Sequence, residues 1–356
     1  MSYTQPFFSL VIPCYNDGRY KAGAYLDRLL SSVVASNLQY DDIEVILADD
    51  HSPKPYMRTV NKFKKYFNIK MIKTEYQFGP GNTRQVGTMI ARGKWLCFAD
   101  HDDTFYPRAL HTVMDLINNS EGDLVYVHAD FDKVNSNNPD EIVERFYKTD
   151  NNALKFVHGK FYNIAKLWKP FHLHFPKDLK THEDVALGCQ VECVLKYVDP
   201  SQILYVPTPV YKWTDNPESI SNQNYNDTKS NPFLERAYSD YLTSNIGQFV
   251  EQAELGRLTP IELTNKVLVV FLGSWFQLYN FKVNHPDTYI KENIDYVKYW
   301  WHRYKEVSHF STPVIKLMIA QGFTQLALTL NRTAQAYGVE NLDEWLEILD
   351  RKEEKQ

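Results

Sequence analysis

Three groups of polar and acidic residues stand directly behind short apolar runs. Asp100-His101-Asp102-Asp103 follows Trp95–Ala99, Asp49-Asp50-His51-Ser52 follows Glu44–Ala48, and Pro13-Cys14-Tyr15-Asn16-Asp17 follows Phe7–Ile12. Carboxylates crowded into one turn repel one another unless a cation lies between them. Hard oxygen ligands of this kind suit Mg2+ or Mn2+, ions that also take phosphate oxygens from a substrate. Such an ion would neutralise a diphosphate leaving group as its charge develops. The sequence has neither a GxGxxG turn after its first strand nor a GxxxxGK[ST] loop. A nucleotide would therefore be held by side chains and metal rather than by a glycine cradle.

The elements that must position these groups follow from the apolar pattern. Phe7–Ile12, Glu44–Ala48, Lys70–Ile72, Trp95–Ala99 and Leu124–Val127 read as strands, most of them continuously apolar as in a sheet covered on both faces. Residues 20–36 and 55–67 have helical spacing, Asn82 is placed as the N-cap of a helix running to Arg92, and another helix is expected from Pro107. Repeated β-α-β units imply an α/β fold with a mostly parallel sheet flanked by helices. In such sheets ligands bind beyond the C-terminal strand ends, which is where the three groups fall. Residues 130–230 look less regular. From about Phe233 the pattern becomes helical, over Phe233–Gln252, Ile261–Phe281, Thr288–Tyr304, Val314–Tyr337 and Leu342–Leu349. The expected division is 1–230 for the catalytic domain, with nucleotide-sugar binding over about 7–130 and the acceptor side over about 131–230, and 231–356 for a helical C-terminal module.

The chain resembles the family 2 glycosyltransferases, which have the GT-A (Rossmann-like) fold. The resemblance runs over roughly residues 7–225 and rests on SLVIPCYN (9–16), ILADDHS (46–52), GPGNTRQVGTMIARGKWLCFADHDD (79–103), GKFYN (159–163), HEDVALG (182–188) and VYKWTDNPESIS (210–221). It implies an inverting, metal-dependent transfer of a hexosyl or pentosyl group from a UDP-sugar to an acceptor hydroxyl. Pro13, Tyr15 and Asn16 would line the base pocket, Asp49 and Asp50 would hold uracil and ribose, and Arg84 would lie near the diphosphate or donor sugar. Asp100 and Asp102 match the DxD motif, Asp102 being the closer metal ligand for Mn2+ or Mg2+, and Asp103 matches a frequent extra acid. Glu183-Asp184 matches the late acidic pair that supplies the general base, here assigned to Asp184 ahead of Glu183. A carboxylate within reach of the attacking hydroxyl can take its proton; the same pair would also suit a helix N-terminus. His158, Lys160, His182 and Trp213 fall on the acceptor side. Gln85 departs from the Asn that commonly follows the family's arginine.

Charge narrows the acceptor. The net charge of −5 argues against a uniformly basic nucleic-acid coat. Yet Pro53–Lys94 holds ten Lys and Arg against Glu75 alone, and Arg145–His182 holds eight against Asp150 and Asp178. Such runs are usually solvated helix faces, but two in one domain could steer a polyanion. The expected acceptor is a cell-surface glycan or phosphate polymer. The alternative is a hydroxymethylated pyrimidine of DNA, flipped out of the stack, with Tyr299, Trp300, Trp301 and Tyr304 contacting the nucleic acid. The Asn- and Tyr-rich composition resembles phage-encoded members of the family, some of which decorate DNA. A non-catalytic sugar-nucleotide or glycan-binding module on the same fold is a further alternative. Cys14, Cys97, Cys189 and Cys193 are expected to be buried free thiols, and His172-Leu173-His174 lacks the further ligands of a zinc site. No signal peptide is visible and the longest apolar stretch, Val267–Phe276, is about half a membrane span. A soluble, cytoplasmic protein is expected.

Overall fold

A computed structural model of the chain describes residues 5–18, 22–147, 155–216, 237–268, 270, 288–309, 311 and 316. The chain divides into two compact units, Met1–Leu234 and Glu235–Gln356.

The first unit opens with β1 (Phe8–Cys14), α1 (Ala22–Val34), β2 (Ile43–Asp49), α2 (Met57–Phe63), β3 (Asn68–Lys73), α3 (Pro80–Met89) and β4 (Trp95–Phe98). It continues through β5 (Thr104–Phe105), α4 (Ala109–Asn118), β6 (Tyr126–Asn135), β7 (Ile142–Phe146), β8 (Lys160–Asn163), a π-helical turn at Ile164–Trp168, α5 (Glu183–Leu195) and β9 (Ile203–Asp215). The strands form one sheet in the order β3-β2-β1-β4-β8-β6-β9-β5, with β7 beside β6. The first four are parallel throughout. β8 then runs antiparallel to β4 and to β6, while β9 is parallel to β6. β1, β2 and β4 are buried along their whole length, with the buried Ser9 hydroxyl of β1 donating to Glu44 of β2, whereas β3 alternates as a sheet edge.

Two cores cover the two faces. Leu10, Ile12, Leu26, Leu30, Val45, Leu47 and Val113 build one, under α1 and α4. Val11, Ile46, Leu96, Phe98, Tyr162, Phe175, Leu187 and Val191 build the other, under α3 and α5. Each fully buried large side chain contributes about 1.5–3 kcal/mol.

Three local expectations change. α3 starts at Pro80, not after an Asn82 cap, because Gly79 at φ 94° turns the chain and proline needs no N–H partner at a first helical position. α4 starts at Ala109, after Arg108 in the left-handed region at φ 59°. The stretch that looked irregular contains the long strands β6 and β9. Its alternation is broken by a bulge between Ala129 and Phe131 and by buried polar residues at His128, Asp130 and Asp132.

The second unit has α6 (Ala237–Leu242), a π turn at Thr243–Gly247, α7 (Gln248–Glu254), a helix α8 over 260–268, and α9 (Thr288–Ser308). The helices expected at Val314–Tyr337 and Leu342–Leu349 lie outside the described residues. Trp300, Trp301 and Tyr304 are buried on α9; the Tyr304 hydroxyl meets Thr264 Oγ1 at 2.8 Å, and Trp300 packs on Gly247, where an added Cβ would lie 2.5 Å from the ring. The aromatic group that was a candidate for nucleic-acid contact is therefore mainly helix packing, with Tyr299 alone of the four exposed. Among the described residues no helix is long and apolar enough to cross a membrane.

Candidate active site

The acid turn lies between β4 and β5, at the C-terminal edge of the parallel strands. β9 holds it from one side. The Tyr211 hydroxyl donates to Asp103 Oδ2 at 2.7 Å and accepts the Asp100 N–H at 2.9 Å. The Thr214 N–H donates to Asp103 Oδ1 at 2.7 Å, and Asn216 Nδ2 donates to Asp102 Oδ2 at 2.9 Å. From α1, the Arg28 guanidinium donates to the Asp102 carbonyl. The turn is thus fixed by hydrogen bonds from two other elements before any ligand arrives.

Arg84 holds the turn from the opposite side. It is buried on α3, and its Nη2 pairs with Asp100 Oδ1 while its Nη1 lies 2.5 Å from Glu183 Oε1. Burial works against the Arg84 charge, but the two carboxylates outweigh it and keep the guanidinium firmly protonated. Burial would raise the Asp100 pKa; the Arg84 charge and the His158 contact reverse this and hold Asp100 well below the usual carboxylate range. Asp103 goes the other way. It is buried, and both desolvation and its neighbours Asp102 and Asp100 push its pKa up.

His158 sits under this group. It is buried, stacked on Tyr211 with centroids 4.8 Å apart, and its Nε2 lies 3.5 Å from Asp100 Oδ2 and 3.8 Å from Asp103 Oδ2. Burial lowers its pKa, which favours the neutral imidazole. Asp100, Asp103 and His158 each offer a ligand atom within 4.8 Å of the others, so they could share a metal ion. Asp102, expected beside Asp100 as the nearer ligand, lies outside that trio because its carboxylate is turned to Asn216. Its side chain remains partly exposed in the same turn.

α5 brings the second acidic pair. Glu183 is buried against Arg84, whereas Asp184 is half-buried and accepts the Val185 N–H at 2.8 Å. Burial, and then the Glu183 charge, push Asp184 up to about 7. The close approach of α3 and α5 depends on Gly81, where a Cβ would lie 2.6 Å from Glu183 Cβ.

The expected donor residues gather at the ends of β1 and β2. Asn16 Oδ1 accepts the Gly18 N–H at 3.0 Å, closing its own turn, and the Asn16 N–H donates to Ser52 Oγ at 2.8 Å. Asp49 Oδ1 accepts the Ser52 N–H at 2.8 Å. Asp50 Oδ1 and Oδ2 accept the N–H groups of Phe78 and Gly79 at 2.8 and 2.9 Å, so this carboxylate anchors the start of α3. Oδ1 also has the Thr74 hydroxyl at 3.5 Å, which leaves the second lone pair of Oδ2 for a ligand. Pro13 lies within β1, and Tyr15 is half-buried just beyond its end.

The four residues expected on the acceptor side separate. His158 belongs to the acid turn. Lys160 is buried with its ammonium on the Phe156 carbonyl, and desolvation lowers its pKa to about 7 despite the Asp184 charge. Its burial removes it from a role as a surface cation. Trp213 stacks on His158 at 5.8 Å and packs at a tilt against Phe156 at 5.3 Å. His182 precedes α5 at φ 59°, with Nδ1 3.0 Å from Thr181 Oγ1. Sequence reasoning missed Tyr211 and Arg28. For Tyr211 a signal existed: it alternates with Trp213, and side chains two apart on a strand share a face. For Arg28, within an ordinary amphipathic helix, none did.

All four cysteines are buried free thiols. Among the described residues, Asp100, Asp103 and His158 form the one cluster with metal-binding spacing, and neither the Cys189/Cys193 pair nor His172/His174 belongs to one.

Residues 9–169 match the Glycosyl transferase family 2 profile. The poly(ribitol-phosphate) beta-N-acetylglucosaminyltransferase TarS of Staphylococcus aureus is 25% identical over 187 residues, 50% of this chain and 31% of that protein. The minor teichoic acid biosynthesis protein GgaA of Bacillus subtilis is 34% identical over 119 residues, 32% of this chain and 25% of that one. The chain thus spans about a third or less of these relatives. The crystal structure of S. aureus TarS 1–349 in complex with UDP-GlcNAc superposes with a TM-score of 0.50 at 19% identity, covering 88% of this chain and 92% of that one. The profile match extends over residues 9–169, and the chain has the GT-A fold of TarS 1–349.

Proposed function

We propose that the chain transfers a sugar from a UDP-sugar to a hydroxyl of a polyol-phosphate polymer, with inversion at the anomeric carbon and Asp184 as general base. The observation that carries this reading is the buried Asp100–Arg84–Glu183 chain, which ties the acid turn to the N-terminus of α5. It supports a single site with a donor end and a basic end. Tyr15, Pro13 and Asn16 border the nucleobase, and the remaining lone pair of Asp50 Oδ2 accepts its N–H, with Asp49 bracing the loop. Arg84 sets the turn facing the diphosphate. Asp184 takes the acceptor proton. Its pKa near 7 matches a base working at neutral pH, and Glu183 is the poorer base because its carboxylate is buried on Arg84.

The donor set fits a divalent cation: carboxylates suit Mg2+ and Mn2+, and a neutral imidazole is compatible with Mn2+. Asp102 and Asp100, with Asp103 and His158 behind them, would hold it. When bound, the ion supplies charge neutralisation for the departing diphosphate. The polymer acceptor is supported by the names of the relatives and by the basic surface of the domain.

The test is a screen for released UDP, with and without Mn2+, across UDP-sugars. Acceptors are poly(ribitol phosphate), poly(glycerol phosphate) and DNA containing hydroxymethylated bases. Polymer-stimulated release supports the reading. Stimulation by DNA alone overturns the acceptor, and no release with any donor overturns the transferase.

A further inference from the structure

We propose that the outer face of α2 is a second, non-catalytic contact for the acceptor, an anchor for the distal part of a linear phosphodiester polymer. This rests on the polyol-phosphate reading above. From Pro53 to Thr74 the chain carries seven Lys and Arg and no Asp or Glu. Two of these are neutralised: Lys70 Nζ lies 2.5 Å from Glu44 and Lys62 Nζ 2.8 Å from Asp27. Lys54, Arg58, Lys64, Lys65 and Lys73 are exposed, and none forms a salt bridge among the described residues. Lys64 Nζ donates to Asn61 Oδ1 at 3.1 Å and Lys73 Nζ to the Ser52 carbonyl at 2.8 Å, and Arg58 feels the Asp27 carboxylate only from beyond salt-bridge distance. Most of the positive charge of this face is therefore not balanced from within.

The row has a direction. Lys73 ends β3 at the same edge as the donor loops, and Lys54 reaches over the β1 loop, where a Cβ on Gly18 would lie 2.4 Å from its Nζ. From there the row descends α2. Arg58 lies on the exposed side of α2, whose other side is buried through Thr59 and Phe63, and Lys64 and Lys65 follow in the turn that closes the helix. At 1.5 Å per residue the seven residues of α2 extend the row by about 10 Å.

It also lies away from the base. Phe63 of α2 enters the core on the α1 face of the sheet, whereas Leu187 and Val191 of α5 belong to the core on the opposite face. The base Asp184, at the start of α5, is thus on the far side of the sheet from α2. A short acceptor in the site cannot reach α2. A long one can engage both, and the second contact then acts intramolecularly.

The experiment compares wild type with an Arg58→Gln/Lys64→Gln/Lys65→Gln variant, all surface positions outside the site. Equilibrium binding of long poly(ribitol phosphate) and of a two-unit ribitol phosphate is measured between about 50 and 300 mM salt, alongside turnover of both. For the long polymer the slope of log affinity against log salt should become shallower by about 2, since three cations each release about 0.7 counterion on a single strand. Its KM should rise about tenfold, while the two-unit acceptor behaves as in wild type. An unchanged slope for the long polymer overturns the anchor. Loss of binding to vesicles of anionic phosphatidylglycerol with polymer binding intact also overturns it, and assigns the face to a membrane. If neither acceptor is turned over, the transferase reading falls, and the binding slope still decides the anchor.

Discussion

Arg84 Nη1 and Glu183 Oε1 lie 2.5 Å apart although 99 positions separate the residues in sequence. Through the other nitrogen of the same guanidinium, the pair extends to Asp100. Arg84→Ala would leave two carboxylates facing each other in a largely buried space. Removing one partner of a buried ion pair costs about 3–5 kcal/mol, so urea unfolding should show a loss of that order. Arg84→Lys keeps a charge but cannot fork to both acids. It should fold, with UDP release down at least about tenfold; full turnover in that variant would mean the bridge is dispensable.

Asp184→Asn should lower kcat by about 100- to 10,000-fold while leaving UDP affinity within about twofold. The wild-type rate should climb with pH through about 7 and level off above it, since the base must be ionised. Stability should run the other way. Burial and Glu183 favour the protonated form, so the native state holds a proton that the unfolded chain releases at the ordinary carboxylate value. This contribution is present in acid and is lost as pH rises through about 7. Asp184→Asn, neutral at every pH, should unfold a few degrees higher than wild type at pH 8 and at the same temperature at pH 4. If Glu183→Gln is the inactive variant and Asp184→Asn is not, the roles are reversed.

Tyr211→Phe removes one hydroxyl that serves both Asp103 and the Asp100 N–H. The acid turn loses its brace but keeps its carboxylates. Metal affinity should fall about 10- to 100-fold, as it does when outer hydrogen bonds to ligands are cut. Titration of Mn2+ by calorimetry reads this directly. Tyr205→Phe, which loses a hydroxyl bonded to Asp130 elsewhere on β9, is the control and should bind Mn2+ as wild type does.

Gly81→Ala tests the spacing of α3 and α5. The added methyl would meet Glu183 Cβ at 2.6 Å, and backbone on one side must give. A cost of about 1–3 kcal/mol is expected, together with a fall in turnover larger than the change in UDP affinity. Retained turnover in a destabilised protein would show that Asp184 tolerates a displaced helix.

The acid turn was legible because a continuous apolar strand followed by clustered aspartates is a local pattern. So were the acids at 49, 50, 183 and 184. What the turn binds to was not. Tyr211, Thr214 and Asn216 reach it from a strand more than a hundred positions later, and β9 was hidden because β6, its neighbour, buries His128, Asp130 and Asp132 where apolar residues were expected. Asp50 shows the opposite limit. Its position was readable, yet its two backbone partners at Phe78 and Gly79 depend on how α3 docks. Gln85 is similar: its side chain accepts the Phe175 N–H at 3.0 Å and so holds the ring that packs beside Arg84. Its replacement of the family's usual Asn is a packing choice that sequence comparison records only as a mismatch.

Asp100, Asp102, Asp103, Glu183 and Asp184 face one salt-bridged guanidinium, a histidine that burial keeps neutral and Lys160, whose charge burial disfavours. The domain thus carries electrostatic frustration concentrated at one spot, relieved only by what it binds. Folding and occupancy share one free-energy account there, by RT ln(1 + [L]/Kd). The authentic cation and donor should together raise the melting temperature far more than either alone, so the natural sugar nucleotide can be picked out by heat before any product is identified.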